Sequence, residues 1–298
     1  MSTVESEATR DEPEQVEPVV QQEGATGRDR AGRWRRFAVL TVAALVVIFP
    51  LYWMLVTALS PQADLVGSAL HLWPSSPDLG NFSRAWNALP FATWYVNSLM
   101  IAVVAVLLTV GINLLAGFVF AKYRFPGRNL LFLLIVSTLM IPVQVIMVPQ
   151  FRIVADLGWV DSYWAVIVPR AAEAFGVFLA RQYMLSIPDE ILEAARIDGA
   201  GHLRTFFSVV LPLCRPLIAV LVILTFMYRW NEFAWPLIVL KDSQLFTVPI
   251  GLAFLQGQYG TDYPALMGMA LLSTLPVLVV FGLFQRQFVE GAARSGLR

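Results

Sequence analysis

Residues 186–216, SIPDEILEAARIDGAGHLRTFFSVVLPLCRP, form a charged island between long apolar runs. Pro188 suits a helix start, and Asp189, Glu190 and Glu193 gather toward the end where the helix dipole favours negative charge. A short amphipathic helix is predicted to follow, with Ile191, Leu192, Ala195 and Ile197 on its less polar side. Gly199, Ala200 and Gly201 then let the backbone turn through positive φ, and a second helix is expected from near Leu203 toward the next apolar run. The island is an elbow at a membrane surface, held at both ends.

The membrane setting follows from composition. Of 298 residues, 57% are hydrophobic and only 14% charged, with mean hydropathy +0.65. That is the composition of a polytopic membrane protein. A formal net charge of +0 makes no case for nucleic acid. The single cysteine, Cys214, allows no intrachain disulfide, and its place beside the elbow marks a reduced, cytosolic thiol.

Residues 1–33 are rich in Glu, Gln, Pro, Gly and Arg, and too poor in large apolar side chains to fold alone, so a disordered cytoplasmic arm is expected. The run 37–59 exceeds the roughly 20 residues a span needs. A cleaved signal peptide ending at Val56, Thr57 and Ala58 is the rival reading; the length of the run and the acidic arm before it favour a retained span. Further spans are expected at 95–121, 129–149, 163–184, 217–240 and 264–288, making an all-α membrane protein of six transmembrane helices. Gly111 and Gly117 would allow close helix contact and Asn113 would bond across helices. Pro142 should kink its span, Gln144 should face protein, and Pro276 sits near the middle of the last span.

The organisation read from this is an arm (1–33), a first span with an external loop (34–93), a core (94–288) containing the elbow at 186–212, and a cytoplasmic tail (289–298). Placing the N-terminus inside puts the basic arm, Lys122, Arg124, Arg128, Arg181, Arg196, Arg204 and Arg215 in the cytoplasm. Only Arg84, Arg152 and Lys241 fall outside, and Arg170 and Arg229 lie within spans, so both termini and the elbow are expected on the cytoplasmic face.

The elbow resembles the EAA motif of ATP-binding-cassette importer permeases, carried here by Glu193, Ala194, Ala195, Gly199, Val209, Leu211 and Pro212, with Val209 where the pattern usually has Ile. The runs RWNEFAWPLIVL, TVPIGLA and STLPVLVVFGLFQRQFVEG look like the carbohydrate-uptake, or maltose-type, branch, specifically its shorter six-span subunit. The resemblance implies a type I importer permease fold and a complex with a second unlike permease, two ATPase subunits and an extracytoplasmic sugar-binding protein. It implies that Glu193, Ala194, Ala195, Asp198, Gly199, Leu211 and Pro212 couple to the ATPases. It also implies that the loop 241–263 meets the binding protein and that the tail reaches the ATPases.

No Gly-x-x-x-x-Gly-Lys-Ser/Thr loop occurs, so ATP would be bound by partner subunits and the chain itself is read as no enzyme, without cofactor or metal. His71 and His202 fall on opposite expected faces, which leaves Cys214 short of partners for a metal. Arg229, Asn231 and Glu232 are candidates for the translocation path. Charges at bilayer depth cost roughly 2.5–3.5 kcal/mol unless paired or wet, and sugars need hydroxyl partners and flat surfaces such as Trp230 and Trp235. A structural ion pair locking adjacent helices is the other reading. Arg170 and Glu173 repeat the spacing, with snorkelling toward the interface as their alternative. A secondary transporter working without ATP is the alternative function; it would call for internal repeats and broken helices, neither of which the sequence displays.

Overall fold

A computed structural model describes residues 27–62, 64, 72–257 and 260–295. The chain divides into two units, Met1–Pro50 and Leu51–Arg298. Most of the expected arm, residues 1–26, and His71 lie outside the described residues. Helix α1 (Gly27–Leu59) opens inside the stretch expected to be unfolded, because no proline interrupts the chain between Gly27 and the apolar run.

In the second unit, α2 (Gly80–Ala88) occupies the expected loop, and its buried Asn81 donates to the carbonyls of Ala58 and Ser60 at 2.9 and 3.1 Å. The centre is α3 (Phe91–Lys122), flanked by α7 (Ala174–Leu185) and α11 (Arg215–Trp230). Between them in sequence come α4 (Arg128–Ser137), α5 (Val143–Asp156) and α6 (Tyr163–Ile167), then α8 (Asp189–Ile197), α9 (His202–Thr205) and α10 (Leu211–Leu213). After α11 follow α12 (Ala234–Val239), α13 (Val248–Phe254), a two-stranded ribbon of β1 (Gln256–Gly257) and β2 (Gly260–Thr261), and α14 (Tyr263–Ser295). The expected tail therefore begins as a continuation of the last helix.

Three helical stretches, Gly32–Leu59, Phe91–Lys122 and Tyr263–Gln287, are long and apolar enough to cross a membrane alone. Counting each of three bent pairs as one span brings the number up to six among the described residues: Arg128–Met140 with Val143–Asp156 at 107°, Tyr163–Arg170 with Ala174–Leu185 at 41°, and His202–Leu213 with Arg215–Trp230 at 82°. The expected kink at Pro142 is present, while the expectation that the other two bent spans run unbroken is corrected, and prolines supply the reason. Pro142 breaks the first pair, Pro169 tightens the second into a 3-10 turn over Val168–Arg170, and Pro212 and Pro216 withdraw two backbone donors around the third. There the ladder slips into a π-turn over Phe206–Val210. Nor is 217–240 continuous, since α11 stops at Trp230 and α12 begins at Ala234. Pro276, by contrast, passes inside α14 without a break. Gln144 is exposed on this chain, because the bend at Pro142 swings α5 away from the line of α4.

Close approach to α3 is built on glycine. A Cβ on Gly117 would meet that of Ala180 at 2.4 Å, and one on Gly176 would lie 1.9 Å from the amide nitrogen of Asn113. Gly111 makes no such approach, with nothing within 4 Å of its would-be Cβ, so its expected packing role is withdrawn. The loop 241–263 is also stitched to α3: the Trp94 indole donates to Ser243 O at 2.7 Å, Asn97 to Gln244 O at 2.7 Å and Phe246 O at 3.0 Å, and Ser98 accepts from Val248 N at 2.8 Å.

Overpacking a site of this kind costs about 1–3 kcal/mol or more. Gly176→Val is expected to lower the melting temperature of the detergent-purified protein by several degrees, with Gly111→Ala close to wild type; equal melting temperatures would refute the packing assignment.

Candidate functional site

Two regions hold the functional candidates. The first is the elbow. Pro188, at φ −58° and ψ 138°, sets the entry to α8; Asp189 and Glu190 occupy its first turn and Arg196 its last, in keeping with the dipole. The helix closes on Gly199 at φ +77°, with Gly199 N donating to Arg196 O at 3.0 Å and Ala200 N to Ala195 O at 2.9 Å. That double bond pattern is the Schellman turn; of the expected Gly199, Ala200 and Gly201 only Gly199 takes positive φ. The inner face is tied to the bundle: Leu192 and Ala195 are buried, and the Lys122 ammonium, at the end of α3, donates to Ile187 O at 2.5 Å and Asp189 Oδ1 at 2.6 Å. The Lys122 hydrogen bond and charge hold the Asp189 carboxyl below the usual carboxylate range. Next door Tyr123 pairs its hydroxyl with His202 Nδ1 at 2.7 Å and sets its ring edge-on to Phe118, which packs on Phe206.

Of the residues assigned to ATPase coupling, Glu193, Ala194, Asp198 and Gly199 lie exposed together on the elbow. Ala195 points the other way, into the chain's own core, because it shares a helix face with Leu192. Leu211 is half-buried and Pro212 exposed, both beyond the π-turn. Ile197, expected on the inner, less polar side, is instead 87% exposed, and Leu203 in the following helix is 69% exposed.

The second region lies where two broken spans meet. Arg229, at the end of α11, has a side chain with 0% exposure. Its Nη2 donates to Arg170 O at 2.5 Å and Glu173 Oε1 at 3.0 Å, and its Nη1 to Glu232 Oε2 at 3.2 Å. Arg170 Nε faces Glu232 Oε1 at 3.4 Å, while its Nη1 donates to the Tyr228 hydroxyl at 2.7 Å. Two arginines and two glutamates thus form one neutral cluster spanning the 171–173 and 231–233 breaks. Helix α3 pins it from behind, with Thr109 Oγ1 donating to Arg170 O at 3.1 Å and Asn113 Oδ1 accepting from Glu173 N at 3.2 Å. The expected cross-helix bond of Asn113 is therefore present.

The reading of Arg229 and Glu232 as an ion pair locking adjacent helices fits this arrangement, whereas Arg170 and Glu173, expected to repeat it, pair with Glu232 and Arg229 of the other span and not with each other. The available signal was the repeated Arg-x-x-Glu spacing, at 170–173 and 229–232, in two segments that each need a partner at bilayer depth. Trp230 and Trp235 are not sugar platforms. Both are buried, with indole N–H groups donating to Ser273 O and Ala165 O, each at 2.9 Å. Asn231 is exposed and donates to Met227 O at 2.7 Å.

On the opposite end of the bundle from the elbow, Asp161 adopts φ 63° and accepts from the backbone N–H groups of Lys241 and Asp242, both at 2.8 Å. Those two bonds pull its carboxyl below the ordinary range.

Removing one partner from a buried ion network costs about 3–5 kcal/mol, because the remaining charge is stranded. Arg229→Met is expected to lower thermal stability by that order, with Arg229→Met/Glu232→Gln recovering part; additive losses would show that the pair is not coupled. At the elbow the sign follows from the depressed carboxyl of Asp189: its contribution is complete above the unfolded value near 4 and is lost as pH falls through the lower folded value. Amide exchange across 189–197 should accordingly be insensitive to the Asp189 tether between about pH 8 and 5, and rise only in stronger acid.

Residues 113–292 match the pattern of a family described as binding-protein-dependent transport system inner membrane component. The chain is 38% identical over 258 residues to the arabinooligosaccharides transport system permease protein AraQ of Halalkalibacterium halodurans, covering 86% of this chain and 92% of that one. It is 37% identical over 265 residues to the sn-glycerol-3-phosphate transport system permease protein UgpE of Pectobacterium atrosepticum, covering 86% and 94%. In fold it is similar to a chain of a bacterial ABC transporter involved in the import of the acidic polysaccharide alginate, at TM-score 0.76 and 24% identity over 88% of this chain and 98% of that one.

Proposed function

The chain belongs to the binding-protein-dependent transport system inner membrane components, and we propose that it is the shorter permease subunit of an ATP-driven importer for a saccharide. Its relatives are named as transport permease components, not enzymes. The partners in this reading are a second unlike permease, ATPase subunits that bind the ATP, an extracytoplasmic sugar-binding protein and the surrounding lipid. The core is 94–288, both termini lie in the cytoplasm, and the path runs beside Arg229, Asn231 and Glu232.

The observation that carries the reading is the outward face of the elbow. A helix too short to be stable alone is held by Lys122 and a Schellman turn, and it presents Glu193, Ala194 and Ile197 away from the bundle. Small and apolar groups suit insertion in a cleft, and the carboxylate suits a basic rim. ATP drives transport through this contact only by favouring one conformation of the complex over another. Broken helices meeting at a charged cluster would also suit an ion-coupled carrier, and it is the family of binding-protein-dependent transport components that favours the importer.

Nothing crowds Gly199, so backbone conformation and not space is what restricts this position in the chain. A β-branched residue in the left-handed region costs roughly 1–2 kcal/mol, whereas Asn visits it readily. In proteoliposomes holding the whole complex, Gly199→Val is expected to lose ATP-driven saccharide uptake and Gly199→Asn to keep most of it. Uptake undiminished by Gly199→Val, or persisting without ATPase subunits, would overturn the coupling role.

A further inference from the structure

We propose that Tyr228 and Glu173 form the substrate-contacting surface of this subunit, and that they suit it to an uncharged saccharide. The inference rests on the reading of the chain as a saccharide importer subunit. It begins from what the ion cluster exposes. Side-chain exposure is 0% for Arg229, 8% for Glu232 and 14% for Arg170, but 31% for Glu173, so the charge that reaches the open face is a carboxylate. Beside the cluster Tyr228 is 45% exposed, the largest flat side chain at this point once Trp230 and Trp235 are accounted for in the core.

The ring of Tyr228 is held in place. Its hydroxyl accepts from Arg170, and the guanidinium carbons of Arg170 and Arg229 lie 5.4 and 5.5 Å from its centroid. The cluster thus fixes an aromatic surface without offering its own cations to the path. Glu173 spends Oε1 on Arg229, and its other oxygen takes no hydrogen bond from the described residues. A pyranose or furanose presents a C–H face and a hydroxyl edge; the first packs on an aromatic ring and the second donates to a carboxylate. A sugar phosphate or uronate would meet the Glu173 carboxylate, 31% exposed, more readily than the fully buried Arg229 or the 14% exposed Arg170, and like charges repel.

Placement and selectivity are tested separately, in the complete complex reconstituted in proteoliposomes. Tyr228→Cys is expected to react with a charged, membrane-impermeant methanethiosulfonate, against a wild-type control whose Cys214 is buried. Labelling needs no transport, so it reads the surface even if saccharide import were to fail. An unreactive Tyr228→Cys in an assembled complex would overturn the proposal. For the ring, Tyr228→Phe should keep most uptake of a neutral arabino-oligosaccharide or malto-oligosaccharide probe, whichever the complex carries. Tyr228→Leu should reduce it roughly five- to tenfold, the worth of an aromatic contact, with ATPase subunits still bound. Equal uptake by Tyr228→Leu and wild type would overturn the contact, as would wild-type uptake of sn-glycerol 3-phosphate or an alginate trisaccharide in preference to the neutral probes. Absence of ATP-driven uptake of every probe by wild type, with labelling intact, would instead count against the importer reading.

Discussion

A guanidinium with no exposed surface governs this structure. Arg229 cannot be left bare at bilayer depth, where an unpaired charge is costly, and a single carboxylate does not use up its donors. It therefore draws in the Arg170 carbonyl, Glu173 and Glu232, which come from two separate spans. The break at 171–173 frees the Arg170 carbonyl from its own helix ladder, so that it accepts from Arg229 and Thr109, while Glu232, three residues on, stays within reach of Arg229. The cluster sits at the breaks at 171–173 and 231–233 and joins the two spans.

Helix α3 connects that cluster to the elbow. Thr109 and Asn113 hold the 170–173 break, and Lys122 and Tyr123 hold the entry to α8 and the start of α9. From Asn113 to Lys122 is about 14 Å of regular helix at the usual rise. Gly117 and Gly176 bring α7 against this same stretch, so the elbow and the cluster share one stiff element. The elbow and the cluster are thereby fastened, each through side-chain hydrogen bonds, to one stretch of regular helix.

The prolines divide rigid from bent parts. Pro212 and Pro216 slip the ladder into a π-turn and bend it by 82°, which turns the chain from the elbow into α11. Pro276 leaves α14 whole. A proline costs a helix one donor and one steric clash, and whether the helix breaks depends on what its neighbours supply at that point.

Much of the elbow was legible in the residues themselves. The acidic first turn, the Gly199 stop and the burial of Leu192 follow from dipole, φ and period, all of which are local. The apolar runs likewise announced a six-segment membrane protein, and the EAA spacing its family. What local pattern does not contain is which segments meet. Arg170 and Arg229 are 59 residues apart, and nothing in either span's composition says that Glu173 will pair with Arg229, and Arg170 with Glu232, across the bundle. The same holds for Trp230 and Trp235, whose indoles satisfy carbonyls on other helices, and for Ala195, which turns inward. Sequence alone determined the periodicities, caps, charge runs and the bend at Pro142, because those depend on neighbours within one or two turns; only the folded bundle decided where the other spans break and which charges face one another, because in lipid a buried charge must find its partner across space.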